Sequence, residues 1–298
     1  MSEKYIKEKI NKAFDRASLS IPEKISDLRL HPIRLIDSIK SLIGIDLDNN
    51  NDRFISMIDS IAENGNTEID SNNQIAYVPS EVVSFIDLEI SIIDRDLDSS
   101  KKLIDDLLIV ADNKHIVEFL IELSLKQSGE SFLFIWSIYK ILLFIDFDNS
   151  SKWLHLAVTA ACLDRFNDFP ENDKAIDFAD SVKVKDINDF DIISKLFQLS
   201  KTDFVRKDRM LKSAMILLVN YVLPKKIEYL SNDLSFESQR LMKRKWISDY
   251  VNANIDKLSD DDIIYLDSAR GIIYLDSNSK LIGAVFTFIN QKLNLNDR

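Results

Sequence analysis

A scarcity of turn-making residues constrains this chain more than any other feature: its 298 residues include only 5 glycines and 5 prolines. Ordinary proteins carry about 7% glycine and about 5% proline. Tight β-turns of types I′, II′ and II need a positive φ that glycine supplies. Nucleotide-binding α/β folds spend glycine on phosphate loops and on close helix–strand packing. A chain this poor in both residues has little means of turning sharply and often, so it reads as helices joined by Asn/Asp/Ser loops. Isoleucine is abundant and favours strands by propensity, so periodicity has to decide.

The periodicity is helical from the start. Ile6, Ile10, Phe14 and Ala17 fall on one helical face, with Ser2 as cap and Glu3 in the first turn. Ile33, Ile36, Ile39 and Ile43 repeat the pattern after Pro32, and Phe54, Ile58 and Ile61 continue it to Asn64-Gly65. Pro79-Ser80 restarts a helix carrying Val82, Phe85, Ile86, Ile90 and Ile93. Further helices are predicted over 99–111, 114–127, 130–146, 150–167, 172–181, 189–200, 203–223 and 235–257. The stretch 132–145 is the most apolar, yet it is too short for a membrane span and Lys140 interrupts it, which fits a buried core helix. Trp136, Trp153, Leu156 and Cys162 are expected at the buried centre. Near the end, Ile263-Ile264-Tyr265-Leu266-Asp267-Ser268 recurs nine residues later as Ile272-Ile273-Tyr274-Leu275-Asp276-Ser277. Ser259 and three aspartates make the first copy helical; the second reads as helix or as a small hairpin across Asn278-Ser279.

The expected fold is therefore all-α. It is either an irregular multi-helix bundle or a solenoid-like stack of helical pairs, with a small C-terminal β-hairpin as an alternative. The stack is suggested by Asp-x-Asp elements at Asp46, Asp94, Asp146 and Asp189, each expected to precede a helix, at spacings close to those of helical-pair repeats. Recurring helix caps explain the same spacing. Composition divides the chain into an N-terminal helical segment (1–65), a polar loop (66–79), an acidic helical core (80–200) and a basic helical C-terminal region (201–298).

Motifs that carry chemistry are missing. The five glycines lie too far apart for a phosphate loop or a dinucleotide fingerprint, and no nucleophile elbow occurs. Asp94, Asp96, Asp98 and Asp105 match four positions of an EF-hand loop, but Ser99 stands where glycine is needed and Lys102 at a ligand position. Asp112-x-x-His115-x-x-Glu118 has no second element to complete a di-iron bundle. Glu122 and Lys126 read as an ordinary i,i+4 pair on a helix. No catalytic, cofactor-binding or metal-binding residue is assigned, and no cofactor is expected. Cys162, the only cysteine, reads as a small buried hydrophobe.

Charge layout is the more specific signal. Between Lys201 and Lys245 stand 11 basic residues against 5 acidic ones, an excess of +6 in a chain of net charge −11, which leaves −17 on the remainder. Such blocks suit a polar partner or mutual attraction. Arg206, Lys207, Arg209, Lys225, Lys226, Arg240, Lys243, Arg244, Lys245 and Trp246 are the candidate contact residues for an acidic partner or for nucleic acid.

The leading expectation is a non-enzymatic scaffold, adaptor or accessory subunit that docks on protein partners in the cytoplasm, with no membrane association. The alternative is a nucleic-acid-linked accessory subunit of a nuclease or ATPase machine, such as an antiviral defence complex, with DNA binding through 201–245. An enzyme whose site is not visible in the sequence is the third.

Overall fold

The computed structural model describes residues 2–45, 51–64, 83–167, 187–217 and 244–275. Among these residues the chain forms twelve α-helices and no strand: α1 (Glu3–Ala17), α2 (Pro32–Ile43), α3 (Asn51–Asn64), α4 (Phe85–Ile93), α5 (Leu97–Val110), α6 (Asn113–Ser124), α7 (Glu130–Phe144), α8 (Ser150–Leu163), α9 (Ile187–Lys201), α10 (Lys207–Leu217), α11 (Arg244–Asn254) and α12 (Asp260–Leu275). The all-α expectation holds.

Short polar side chains cap five of these helices, as the Asn/Asp/Ser vocabulary implies. Ser2, Ser84, Asp96 and Asp112 each accept a bond from a first-turn amide of α1, α4, α5 and α6. Before α12, Ser259 and Asp262 bond reciprocally, the Ser259 amide to Asp262 Oδ2 at 2.9 Å and the Asp262 amide to Ser259 Oγ at 3.2 Å. The α2 cap is His31, whose Nδ1 accepts from the Ile33 amide at 3.2 Å. Its Nε2–H donates to the Ser20 carbonyl at 2.8 Å, which fixes the neutral tautomer.

The core is one continuous cluster running from Ile6 to Ile273. Helix α7 lies at its centre and is buried on every side from Ser131 to Tyr139; a helix apolar all round has to be covered all round. Helices α2, α6, α8 and α9 cover it. Trp136, Trp153, Leu156 and Cys162 are all buried, as expected. Around this centre, α1, α2 and α3 pack together, α4 and α5 form a hairpin against α8, and α12 is gripped by α2, α9 and α11. Contact between α2 and α12, more than two hundred residues apart, makes this an irregular bundle; in a solenoid each unit touches only its neighbours.

One local expectation is corrected. The element Asp189-Phe190-Asp191 does not precede a helix; it lies inside α9, with Phe190 and Asp191 buried. Asp94-Arg95-Asp96 and Asp146-Phe147-Asp148 do occupy interhelical loops, and Asp46-Leu47-Asp48 lies outside the described residues. The second copy of the repeat takes the helical reading as far as it is described: Ile272, Ile273, Tyr274 and Leu275 form the last turn of α12, and Asn278-Ser279 is outside the described residues. Helix α4 forms where a helix was expected, and only some of its apolar residues reach the core. Leu88 and Ile92 are fully buried, whereas Ile86, Ile90 and Ile93 face solvent. Val82 and the Pro79-Ser80 start lie outside the described residues.

Helix α12 passes through its Gly271 without a break, for a packing reason. A Cβ there would stand 2.2 Å from Gln198 Nε2 and 3.2 Å from Ser194 Oγ, both on α9. The missing side chain lets the two helices approach closely, and Ser194 Oγ uses that proximity to donate to the Ser268 carbonyl at 2.7 Å.

Candidate functional site

Two regions depart from the rule that polar groups face water and apolar groups face the core. One is interior, where α2, α7, α9 and α12 meet; the other is the outer face of α4.

The interior region is a network of ions. Asp267 of α12, fully buried, accepts from Lys195 Nζ at 2.8 Å and lies 3.4 Å from Lys140 Nζ. Its other oxygen accepts from Arg270 Nε at 3.1 Å and Nη2 at 3.0 Å. Lys140 of α7 also reaches Asp37 of α2 at 2.8 Å and donates to Ser41 Oγ at 3.0 Å. Lys40 closes on Asp37 at 2.7 Å. On the other flank Lys195 stands 3.5 Å from Asp191, which also binds Arg34 and the Ser268 hydroxyl. Arg34 continues to Glu130 at 3.8 Å.

Burial opposes charge throughout the network, and its balance with the partners differs from member to member. Asp37 and Asp267 are held below the ordinary carboxylate range despite burial, because Lys140 acts on both, Lys40 on Asp37, and Lys195 and Arg270 on Asp267. Burial dominates at Lys140 and pulls its ammonium down. At Lys195 the carboxylates of Asp267 and Asp191 outweigh burial and push it up. Burial raises Glu130, whose contact with Arg34 is longer. The network joins four helices that are distant in sequence and is largely closed to solvent. This arrangement ties the four helices together.

The outer region has the reverse character. Ile86, Ile90 and Ile93 are 68%, 51% and 50% exposed, and they share one side of α4 at helix spacing. Val205, 76% exposed, sits at the N-terminal end of that helix. Its amide donates to the fully buried Glu118 at 3.1 Å, and the next residue, Arg206, lies over the Phe85 ring. Exposed charge along α4 and the turn that follows comes from Asp87, Asp94, Asp96 and Asp98 against Arg95. Glu89, on the other flank of the stripe, is paired with Lys126 at 3.0 Å.

The basic residues singled out from sequence fall into three groups. Arg206 is engaged internally: its guanidinium lies 5.5 Å from the Phe85 ring centroid and 5.1 Å from that of Phe119, and 2.9 Å from Glu122 Oε2. Lys207, half-buried, and Arg209, exposed, stand on the first turn of α10, which packs on α6 and α9. Arg244, Lys245 and Trp246 open α11, which packs on α12. Lys225, Lys226, Arg240 and Lys243 lie outside the described residues. The expected Glu122–Lys126 pair within α6 is replaced by two links to other elements, Glu122 to Arg206 and Lys126 to Glu89.

A cleft of about 250 Å³ opens between α1 and the loop joining α7 to α8. Lys7, Asn11, Asp146, Asp148, Lys152 and Trp153 are among its lining residues. Asp146, Phe147 and Asn149 of this loop take left-handed backbone angles, φ 54°, 60° and 49°. Charges of both signs line the cleft, and Lys152 is bound to Asp15. Among the described residues, no group of three or more His, Cys, Asp or Glu is placed to hold a metal ion, and no helix is long and apolar enough to cross a membrane. Asp96 caps α5 through the Ser99 amide and hydroxyl, at 3.1 and 2.6 Å, so the loop compared with a calcium site serves as a helix start.

The chain matches no protein-family model, no curated protein and no solved structure.

Proposed function

We propose that this protein is an interaction subunit, a helical adaptor or scaffold that docks on another protein through the outer face of α4. One observation carries the reading. Six of the nine residues of α4 are large and apolar, and three of them form a solvent-facing stripe that the described residues leave uncovered. A surface helix ordinarily buries its apolar stripe and turns polar residues outward. Single exposed apolar residues are common, but contiguous apolar surface marks a binding site. The ion network supports the same reading by holding the bundle in one arrangement without offering a reactive centre.

The basic segment belongs to the nucleic-acid alternative, and it gains no specific support: Arg206, one of its central members, is engaged with Glu122, Phe85 and Phe119. Native affinity purification with wild-type protein and with Ile90→Asp tests the proposal. A stoichiometric partner recovered with wild type and lost with Ile90→Asp is the expected result. Equal recovery by both proteins, or a clean monomer in both, overturns it.

A further inference from the structure

We infer that the α4 face receives a cationic amphipathic helix of a partner protein; this rests on the interaction reading above and specifies its partner. Shape is the first ground. Ile86, Ile90 and Ile93 lie at i, i+4 and i+7, a straight stripe along the helix axis. A partner helix crossing at a shallow angle meets such a stripe with apolar side chains at the same spacing.

Charge chooses among the apolar surfaces that would fit. Asp87 borders the stripe on one side, Asp94 stands at its C-terminal end, and Asp96 and Asp98 follow in the turn to α5. Arg95 is the one exposed cation in this stretch and leans toward the Asp164 carbonyl, at 3.5 Å. The next lysines in sequence, Lys101 and Lys102, belong to α5. A second copy of this chain is a poor occupant. Antiparallel pairing of two α4 helices would bring the Asp87 of one against the Asp94 of the other, and like charges in register repel. An anionic lipid surface is repelled for the same reason. A helix with Lys or Arg beside its apolar anchors meets both the isoleucines and the carboxylates, and residues outside 201–245 carry a net −17 that steers it inward.

The test is a titration of the full-length protein with a short helical peptide of leucine and lysine, leucines at helix spacing, and with its glutamate-for-lysine counterpart. The lysine peptide is expected to bind at least about tenfold more tightly than the glutamate peptide. Ile86→Ser/Ile90→Ser/Ile93→Ser is expected to cost at least about tenfold in affinity. Asp87→Lys/Asp94→Lys is expected to cost a similar factor at low salt and much less at high salt. Unchanged circular dichroism of both variants secures the comparison. Equal binding of the two peptides, or binding indifferent to the triple serine change, overturns the inference. So does a wild-type dimer in sedimentation that Ile90→Asp dissolves, because the occupant would then be a second copy. If native purification still loses its partner with Ile90→Asp while the lysine peptide shows no preference, the cationic helix fails and the interaction subunit stands.

Discussion

The junction of α2, α7, α9 and α12 and the outer face of α4 invert one another. The first places five cations and four carboxylates where hydrocarbon is expected; the second places isoleucine where carboxylate is expected. At the junction every charge has a partner on another helix or one turn away, from Arg34–Asp191 to Asp267–Arg270. On α4, Ile86, Ile90 and Ile93 are left at least half exposed by the described residues. The difference separates two tasks. A buried ion network is rarely a gain over well-packed hydrocarbon, but it penalises every arrangement that leaves a charge unpaired, so it specifies which helices meet. An exposed stripe contributes little to folding, which leaves it free for the docking role proposed above.

Asp267→Asn should give the largest effect. It leaves Lys140, Lys195 and Arg270 sharing fewer negative charges, and breaking a buried pair in this way costs about 3–5 kcal/mol. Urea unfolding measures it. Replacing Asp267 by Leu together with Lys195 by Met should recover part of the loss, because the uncompensated ammonium then disappears. A cost below about 1 kcal/mol for Asp267→Asn would mean that the network does not hold the junction.

His31 sharpens the contrast between interior and surface through pH. Burial lowers its pKa to about 4 from an ordinary 6.5. The unfolded chain therefore takes up a proton near 6.5 and the folded chain only near 4. The folded state binds fewer protons in that window, so stability is full above about pH 6.5 and falls as the pH drops toward 4. The loss approaches about 3 kcal/mol at the acid end. His31→Asn, which keeps a capping acceptor without the titration, should flatten the slope between pH 6.5 and 4.5. An identical slope in both proteins would contradict the assignment.

Arg206→Ala should come next, at about 1–2 kcal/mol. It removes a partly buried ion pair to Glu122 and two ring contacts. Thermal or urea unfolding checks it. A null effect would return Arg206 to the set of side chains free to meet an outside partner.

The described helices and their order were readable because glycine and proline are scarce and the 3.6-residue period is strong in α1 and α2, whose predicted faces are the buried ones; the predicted helix 172–181 lies outside the described residues. The α7–α8 centre was readable from apolar density. The buried face of α4 was not, because Phe85-Ile86-Asp87-Leu88-Glu89-Ile90-Ser91-Ile92-Ile93 satisfies the same period on two faces. Choosing between Leu88/Ile92 and Ile86/Ile90/Ile93 requires knowing what α4 packs against. The ion network was obscured for a related reason: Asp191 and Lys195, four residues apart, look like a solvated surface pair. The available signal was a charge inside an otherwise apolar stretch, visible at Lys140 amid 132–145 and at Asp267 after Ile263-Ile264-Tyr265-Leu266. The basic residues of 201–245 were legible as composition, but composition does not reveal that Arg206 lies against two neighbouring phenylalanine rings.

The smallest effect is the most telling, and two substitutions on α4 measure it side by side. Leu88→Ala, on the buried face, should cost about 2–5 kcal/mol in urea unfolding. Ile90→Ala, two residues away on the outer face, should change stability by less than about 0.5 kcal/mol beyond its small helix-propensity gain. That outcome would show that the isoleucine stripe is not part of the fold's own core. A loss of about 2 kcal/mol or more for Ile90→Ala in the isolated protein would show that the stripe is already covered, and would contradict its assignment as a surface kept for a partner.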